Sequence, residues 1–137
     1  MSPSVFGKPR RGLVQIILLT AAELVAVSLC HPAAAQQADG ERLFRQRCAA
    51  CHSLEEGGRG TGPTLFALLD REAGIVGGAS YSRAMQDSGL VWDRQTLDRF
   101  LENPAALVPG TRMAVRIAND AERTAIIDYL ETADGRS

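Results

Sequence analysis

The chain has 137 residues, 15 basic against 16 acidic side chains, a formal net charge of −1, three cysteines and two histidines. That length accommodates one small domain with a short extra segment. The near-neutral balance supplies no basic stripe of the kind a nucleic acid would need.

Taken from the N-terminus, residues 1–35 read as an export leader. Lys8, Arg10 and Arg11 make a positive start, an apolar stretch runs from Leu13 to Leu29, and Ala33-Ala34-Ala35 supplies small residues at a cleavage point before Gln36. Lipoprotein processing would need a small residue before Cys30, where Leu29 stands. The alternative is an uncleaved anchor in the inner membrane, with the domain facing the periplasm. The stretch is close to the ~18 residues that spanning needs. Glu23 inside it weighs against spanning, since a central acid costs about 2.5–3.5 kcal/mol on insertion scales. Cleavage is the expectation, leaving residues 36–137 as one mature domain. The leader takes three basic side chains and one acidic one with it, so the mature domain carries a net charge of −3 and contains no lysine. Without Cys30 only Cys48 and Cys51 remain.

The mature domain reads as helical throughout, with glycine- and proline-rich loops and no alternating strand pattern. Asp39 can cap a first helix to about Cys48, with Leu43, Phe44 and Cys48 on one face and Gly40 open to close approach by another helix. Residues 52–78 are punctuated by Gly57, Gly58, Gly60, Gly62, Pro63, Gly74, Gly77 and Gly78 and read as loop. A short helix spans about 82–87 and stops before Gly89. Asp93 caps the next, whose inward face is Leu97, Phe100 and Leu101 and whose end is Asn103-Pro104. Asn119 with Glu122 resembles a capping box, opening a last helix to about Thr132 with Ile126, Ile127, Tyr129 and Leu130 inside.

Cys48-Ala49-Ala50-Cys51-His52 closes the first helix. C-x-x-C-H is the attachment signature of a c-type haem. Two thiols three positions apart on a helical turn can each add across a haem vinyl group, and the adjacent His52 is then held beneath the iron as its proximal ligand. A zinc site would need a second pair of ligands, and the other candidates, Cys30 and His31, lie in the leader. A thioredoxin-like pair would need a βαβ setting, which the surroundings lack. Export agrees with haem, because thioether attachment is completed outside the bacterial cytoplasm. A domain of about 100 residues buries only about two-thirds of its unfolded surface. The haem would add much of the missing apolar interior, so the apo-protein is expected to be poorly folded.

The opposite face of the iron decides the function. Met1 leaves with the leader, and Met85, in the short helix, reads as core filler. Met113 sits in Pro109-Gly110-Thr111-Arg112-Met113, a loop stiffened by proline and turned by glycine. A thioether presented there suits a soft, fixed axial ligand. His/Met ligation raises the reduction potential and keeps the iron six-coordinate in both oxidation states.

The series of segments resembles the class I cytochromes c, of the mitochondrial and soluble bacterial type, over essentially the whole mature domain. Gly40 and Phe44 precede the C-x-x-C-H run, and Thr61-Gly62-Pro63-Thr64-Leu65 is similar to the family's T-G-P-N-L segment. Arg71, Ser80-Tyr81-Ser82, Val91-Trp92, Leu101-Glu102-Asn103-Pro104, Pro109 to Met113 and Ile127-Asp128-Tyr129-Leu130 follow in register. The resemblance implies an all-α cytochrome c fold, three to five helices wrapped around one haem c held covalently through Cys48 and Cys51. It implies that the Pro63 carbonyl accepts the His52 Nδ1 proton, orienting the ring and strengthening it as a ligand. It further implies that Arg71, Tyr81 and Trp92 bond or neutralise the buried propionates, with Thr111 adding a hydroxyl, and that Gly40 meets Tyr129 at a helix crossing. The reading of Tyr81 and Trp92 as core aromatics stands beside this.

Three departures bear on partners and chemistry. Phe100 stands where mitochondrial members usually place a tyrosine beside the methionine ligand. Ala105 and Ala106 replace two lysines of their docking ring, of which Arg47 and Arg112 keep only part. A depleted ring on an acidic domain weakens electrostatic steering toward acidic partners. The expectation is an electron carrier, not an enzyme. It would be a periplasmic monomer exchanging single electrons with redox proteins such as a membrane oxidase, a quinol-oxidising complex or a dehydrogenase. His52 is the one histidine left after processing, so no distal histidine serves peroxide chemistry. The alternatives are a dedicated subunit or acceptor of one dehydrogenase complex, and a small-ligand-binding haem protein should Met113 be labile.

Overall fold

Five helices account for the regular structure among the described residues, 31–133, of this computed structural model. They are α1 (His31–Arg47), α2 (Arg83–Gln86), α3 (Arg94–Glu102), α4 (Pro104–Leu107) and α5 (Asp120–Thr132). Among the described residues the extended structure is a single antiparallel bridge between Glu72 and Val91. The fold is all-α, as the sequence implied. Contacts divide the chain into Met1–Ala34 and Ala35–Ser137, and the site lies wholly in the second unit. The positive start and the Leu13–Leu29 stretch of the expected leader lie outside the described residues. No helix among the described residues is long and apolar enough to cross a membrane.

The first helix begins earlier than expected, and Asp39 is not its cap. The helix is already formed at His31, the first described residue, and Ala33, Ala34, Ala35, Gln36 and Gln37 are helix formers with no breaker before Asp39. Asp39 therefore lies mid-helix, exposed, 3.3 Å from Arg42. The other caps fall where their side chains permit. Ser82 accepts from the Met85 amide, Asp93 from the Thr96 amide at 2.6 Å and Asn119 from the Glu122 amide. Asn103 ends α3 and at once caps α4, whose first residue is Pro104. The sequence reading had ended the helical path there and missed α4.

The interior is built from Leu43 and Phe44 of α1, Leu97, Phe100 and Leu101 of α3, and Ile126, Ile127 and Leu130 of α5. Against α1, helix α5 brings Tyr129 to Phe44, ring centroids 5.6 Å apart. It is tied to α3 by Arg94, which pairs with Asp128 and with Glu131, and by Arg123, which donates to Asp98 at 2.7 Å. This frame carries two long loops, residues 48–82 and 108–119, that face one another across the interior.

Candidate functional site

Cys48 ends α1 with its amide bonded to the Phe44 carbonyl at 2.8 Å, and the turn continues as Cys51 and His52 both donate to the Cys48 carbonyl, at 3.0 and 2.9 Å. This tight turn brings both thiols and the imidazole to one end of a cavity of about 470 Å³. Cys48 is buried and Cys51 exposed. Burial pushes the Cys48 thiol up to about 11, against the smaller opposing pull of the Arg47 charge.

His52 Nδ1 lies 2.7 Å from the Pro63 carbonyl oxygen. A carbonyl can only accept, so Nδ1 carries the proton and Nε2 keeps its lone pair for a metal. The ring is held from the other side by Gly62, where a Cβ would come within 2.8 Å of Nδ1 and 3.0 Å of Nε2. Gly62 is fixed in turn by donating to the Cys51 carbonyl at 2.9 Å. Glycine here is a requirement of close approach, and T-G-P is the segment that supplies both it and the acceptor.

All nine residues singled out from the sequence line this one cavity: Cys48, Cys51, His52, Pro63, Arg71, Tyr81, Trp92, Thr111 and Met113. Two of them also make bonds within the chain. The two terminal nitrogens of Arg71 donate to the Phe66 and Thr64 carbonyls at 2.6 and 2.9 Å, gripping the loop that follows Pro63. That loop holds Ala67 at φ 47° and Asp70 at φ 60°, a region non-glycine residues rarely adopt, so the clamp stabilises a strained path. Thr111 uses its hydroxyl to accept from the Met113 amide at 3.3 Å, which shapes the methionine loop itself. Burial raises the Tyr81 phenol above its ordinary value, while the neighbouring Arg71 charge and a bond to the Val76 backbone pull it down. Trp92 is buried and stacks edge-on against Phe100 at 5.1 Å. Leu65, from the T-G-P-T-L segment, completes the apolar wall with Leu68 and Met85, which carry no signal of a site in the sequence.

The donor set and the wall suit a haem. Two thiols and an imidazole with a free Nε2 lie at one end, a thioether faces the same space, and the lining between is apolar. The residues with polar groups for propionates, Arg71 and Tyr81, are neighbours.

Comparison with known proteins agrees with this reading. The family model for cytochrome c matches residues 37–134. Cytochrome c of Euglena viridis is 42% identical over 94 residues, covering 68% of this chain and 92% of that protein. Cytochrome c2 of Rhodomicrobium vannielii is 42% identical over 106 residues, covering 76% of this chain and 84% of that protein. Cytochrome c type-1 of Ascaris suum is 41% identical over 93 residues, covering 67% and 83%.

Proposed function

The chain belongs to the cytochrome c family, haem-containing electron carriers with one haem c, here attached through Cys48 and Cys51, and from that premise we propose that its iron is ligated by His52 and Met113. The haem supplies a one-electron couple at its iron. The chain's residues supply the rest. The bond from His52 Nδ1 to the Pro63 carbonyl fixes the tautomer and leaves Nε2 as a strong donor. Thr111 sets the turn from which Met113 reaches the cavity. His52 and Met113 would hold the haem between them from opposite walls of the cavity, so a one-electron change there would call for little movement of the chain and would leave no room for a substrate. The protein is a carrier that turns over no substrate.

The single observation behind this reading is that Met113, His52 and both cysteines line one cavity. We further infer that the mature domain, residues 36–137, works in the periplasm as a monomer. It would exchange electrons with a membrane oxidase, a quinol-oxidising complex or a dehydrogenase. The test is an absorption spectrum of the purified, dithionite-reduced protein before and after CO. An unchanged low-spin spectrum is expected; rapid formation of a CO adduct would overturn Met113 ligation and favour a ligand-binding haem protein.

A further inference from the structure

We propose that Thr64 is a positioning residue for His52: its hydroxyl fixes the peptide unit whose oxygen takes the His52 Nδ1 proton, and so sets how strongly Nε2 donates to the iron. This rests on the His52 ligation proposed above and is independent of Met113. The oxygen 2.7 Å from Nδ1 belongs to the Pro63–Thr64 peptide unit. Proline has no N–H, so Pro63 cannot donate a backbone bond to hold this stretch in place. On the near side, the Gly62 amide donates to the Cys51 carbonyl at 2.9 Å. On the far side the restraints converge on Thr64.

Thr64 is buried, and its hydroxyl donates to the Glu55 carbonyl at 2.7 Å, with the Ser53 carbonyl a longer second acceptor at 3.3 Å. The same oxygen accepts from the Phe66 amide at 3.1 Å. The Thr64 carbonyl accepts from Arg71 at 2.9 Å, and the Leu65 amide donates to the Ser53 carbonyl at 2.8 Å. The receiving turn is itself closed: the Glu55 amide donates to Ser53 Oγ and the Gly58 amide to the Glu55 carbonyl, each at 3.0 Å. Ser53 follows His52 directly. The ties therefore run in a closed circuit, from His52 to Pro63, through Thr64, and back to the residue beside His52. Such a circuit keeps the Pro63 carbonyl aimed at Nδ1, and a hydrogen bond weakens steeply once its alignment is lost. A weaker bond at Nδ1 makes Nε2 a poorer donor, which favours ferrous over ferric iron.

Thr64→Val keeps the shape and removes the hydroxyl. It takes the acceptor from the Phe66 amide, while the Glu55 carbonyl keeps its Gly58 donor. The experiment follows solvent exchange of the His52 Nδ1 proton by nuclear magnetic resonance in the reduced holoprotein, for the parent, Thr64→Val and Thr64→Ser. Reduction potentials are measured on the same samples. Thr64→Val is expected to exchange this proton about tenfold faster, the effect of one buried hydrogen bond on a local opening. The Leu97 and Leu101 amides of α3 should stay within about twofold of the parent, because they report global opening instead. The ferric–ferrous equilibrium of Thr64→Val should move about two- to fivefold toward ferrous, a rise of about 20–40 mV at about 59 mV per tenfold. Thr64→Ser keeps the hydroxyl and should match the parent in both readouts. In the parent itself, the Leu65 and Phe66 amides should open together with the Nδ1 proton and show equal protection. That comparison stands even where Thr64→Val fails to hold haem. Unchanged Nδ1 exchange in Thr64→Val, α3 amides that quicken by the same factor, or unequal protection in the parent would overturn the role of Thr64. A ferric parent whose His52 ring protons carry no hyperfine shift would instead sink the His52 ligation on which that role depends.

Discussion

Gly40 of α1 and Tyr129 of α5 meet so closely that a Cβ built on Gly40 would stand 2.8 Å from the Tyr129 Cβ and would also strike the Ala125 carbonyl. The obstacle on the Ala125 side is backbone and cannot swing away. One missing side chain thus sets the distance between the first and last helices, and the Phe44–Tyr129 ring contact at 5.6 Å depends on it.

Gly40→Ala pits two effects of opposite sign. Alanine favours the helix by about 1 kcal/mol over glycine. Forcing the helices apart costs about 1–3 kcal/mol, and the backbone contact puts this site at the upper end. A net loss of about 1–2 kcal/mol is expected in urea unfolding of the holoprotein, larger for Gly40→Val. A midpoint that rises for Gly40→Ala would mean that the crossing has slack.

Features set by neighbouring residues were legible in the sequence. Asp93 and Asn119 cap helices because their own side chains reach amides three residues on, and C-x-x-C-H states its chemistry in five positions. The T-G-P segment was recognised only by its family resemblance, and the fit of Gly62 beside the His52 ring came from the structure. What depends on tertiary surroundings was not legible. The start of α1 was misplaced because an alanine- and glutamine-rich run has no internal mark of where a helix begins. Arg71 was expected on the propionates by analogy, and its grip on the Thr64 and Phe66 carbonyls requires knowing how the loop folds back. Arg123 carries no mark in the sequence, yet it is only 7% exposed.

Arg123 is a buried hub. Its Nε donates to Asp98 at 2.7 Å, and one terminal nitrogen donates to the Ile117 and Ala118 carbonyls at 3.1 and 3.0 Å, where the methionine loop rejoins α5. Arg123→Met keeps the bulk and leaves two carbonyls and a carboxylate without their donor. A loss of about 2–4 kcal/mol is expected, since each orphaned group costs about 1–3 kcal/mol and partial access to water offsets some of it. Urea unfolding of the holoprotein would measure it. A loss below about 0.5 kcal/mol, the range of ordinary surface changes, would mean that water replaces the guanidinium freely.

Removing the haem should unfold much of the domain. The haem would fill a cavity of about 470 Å³ walled by Leu97, Phe100, Leu101, Ile126 and Leu130, and without it those apolar side chains would face water. Cys48→Ser with Cys51→Ser blocks attachment, and far-ultraviolet circular dichroism of the product should show most of the helix lost. Native-like helicity in that variant would mean that the cavity collapses without penalty.

The acid limb of stability should owe part of its shape to Asp93. The Thr96 backbone N–H, and after it the Thr96 hydroxyl, hold this carboxyl below its usual 3.8. A carboxyl depressed by folding stabilises the native state fully above its unfolded value, and the contribution fades as pH falls through the folded one. Asn also caps well but does not titrate. The stability gap between the parent and Asp93→Asn should therefore narrow as pH is lowered from about 6 to about 3. A gap constant across that range would mean that the cap makes no use of the charge.

A lysine-free mature domain should lack one form of alkaline chemistry altogether. If Met113 leaves the iron at high pH, its replacement must be a group with a free lone pair. Arginine stays protonated and cannot serve, whereas a deprotonated lysine could. The one lysine in the chain, Lys8, lies in the expected leader, and His52 is the proposed ligand on the opposite face. Hydroxide and the N-terminal amine are the candidates that remain. Electron paramagnetic resonance of the ferric mature protein at alkaline pH is expected to show a hydroxide or N-terminal amine form, the latter vanishing when the terminus is blocked. An amine-ligated signal that survives blocking would require a nitrogen donor that residues 36–137 do not contain, so the boundary of the mature domain would have to be redrawn to keep Lys8.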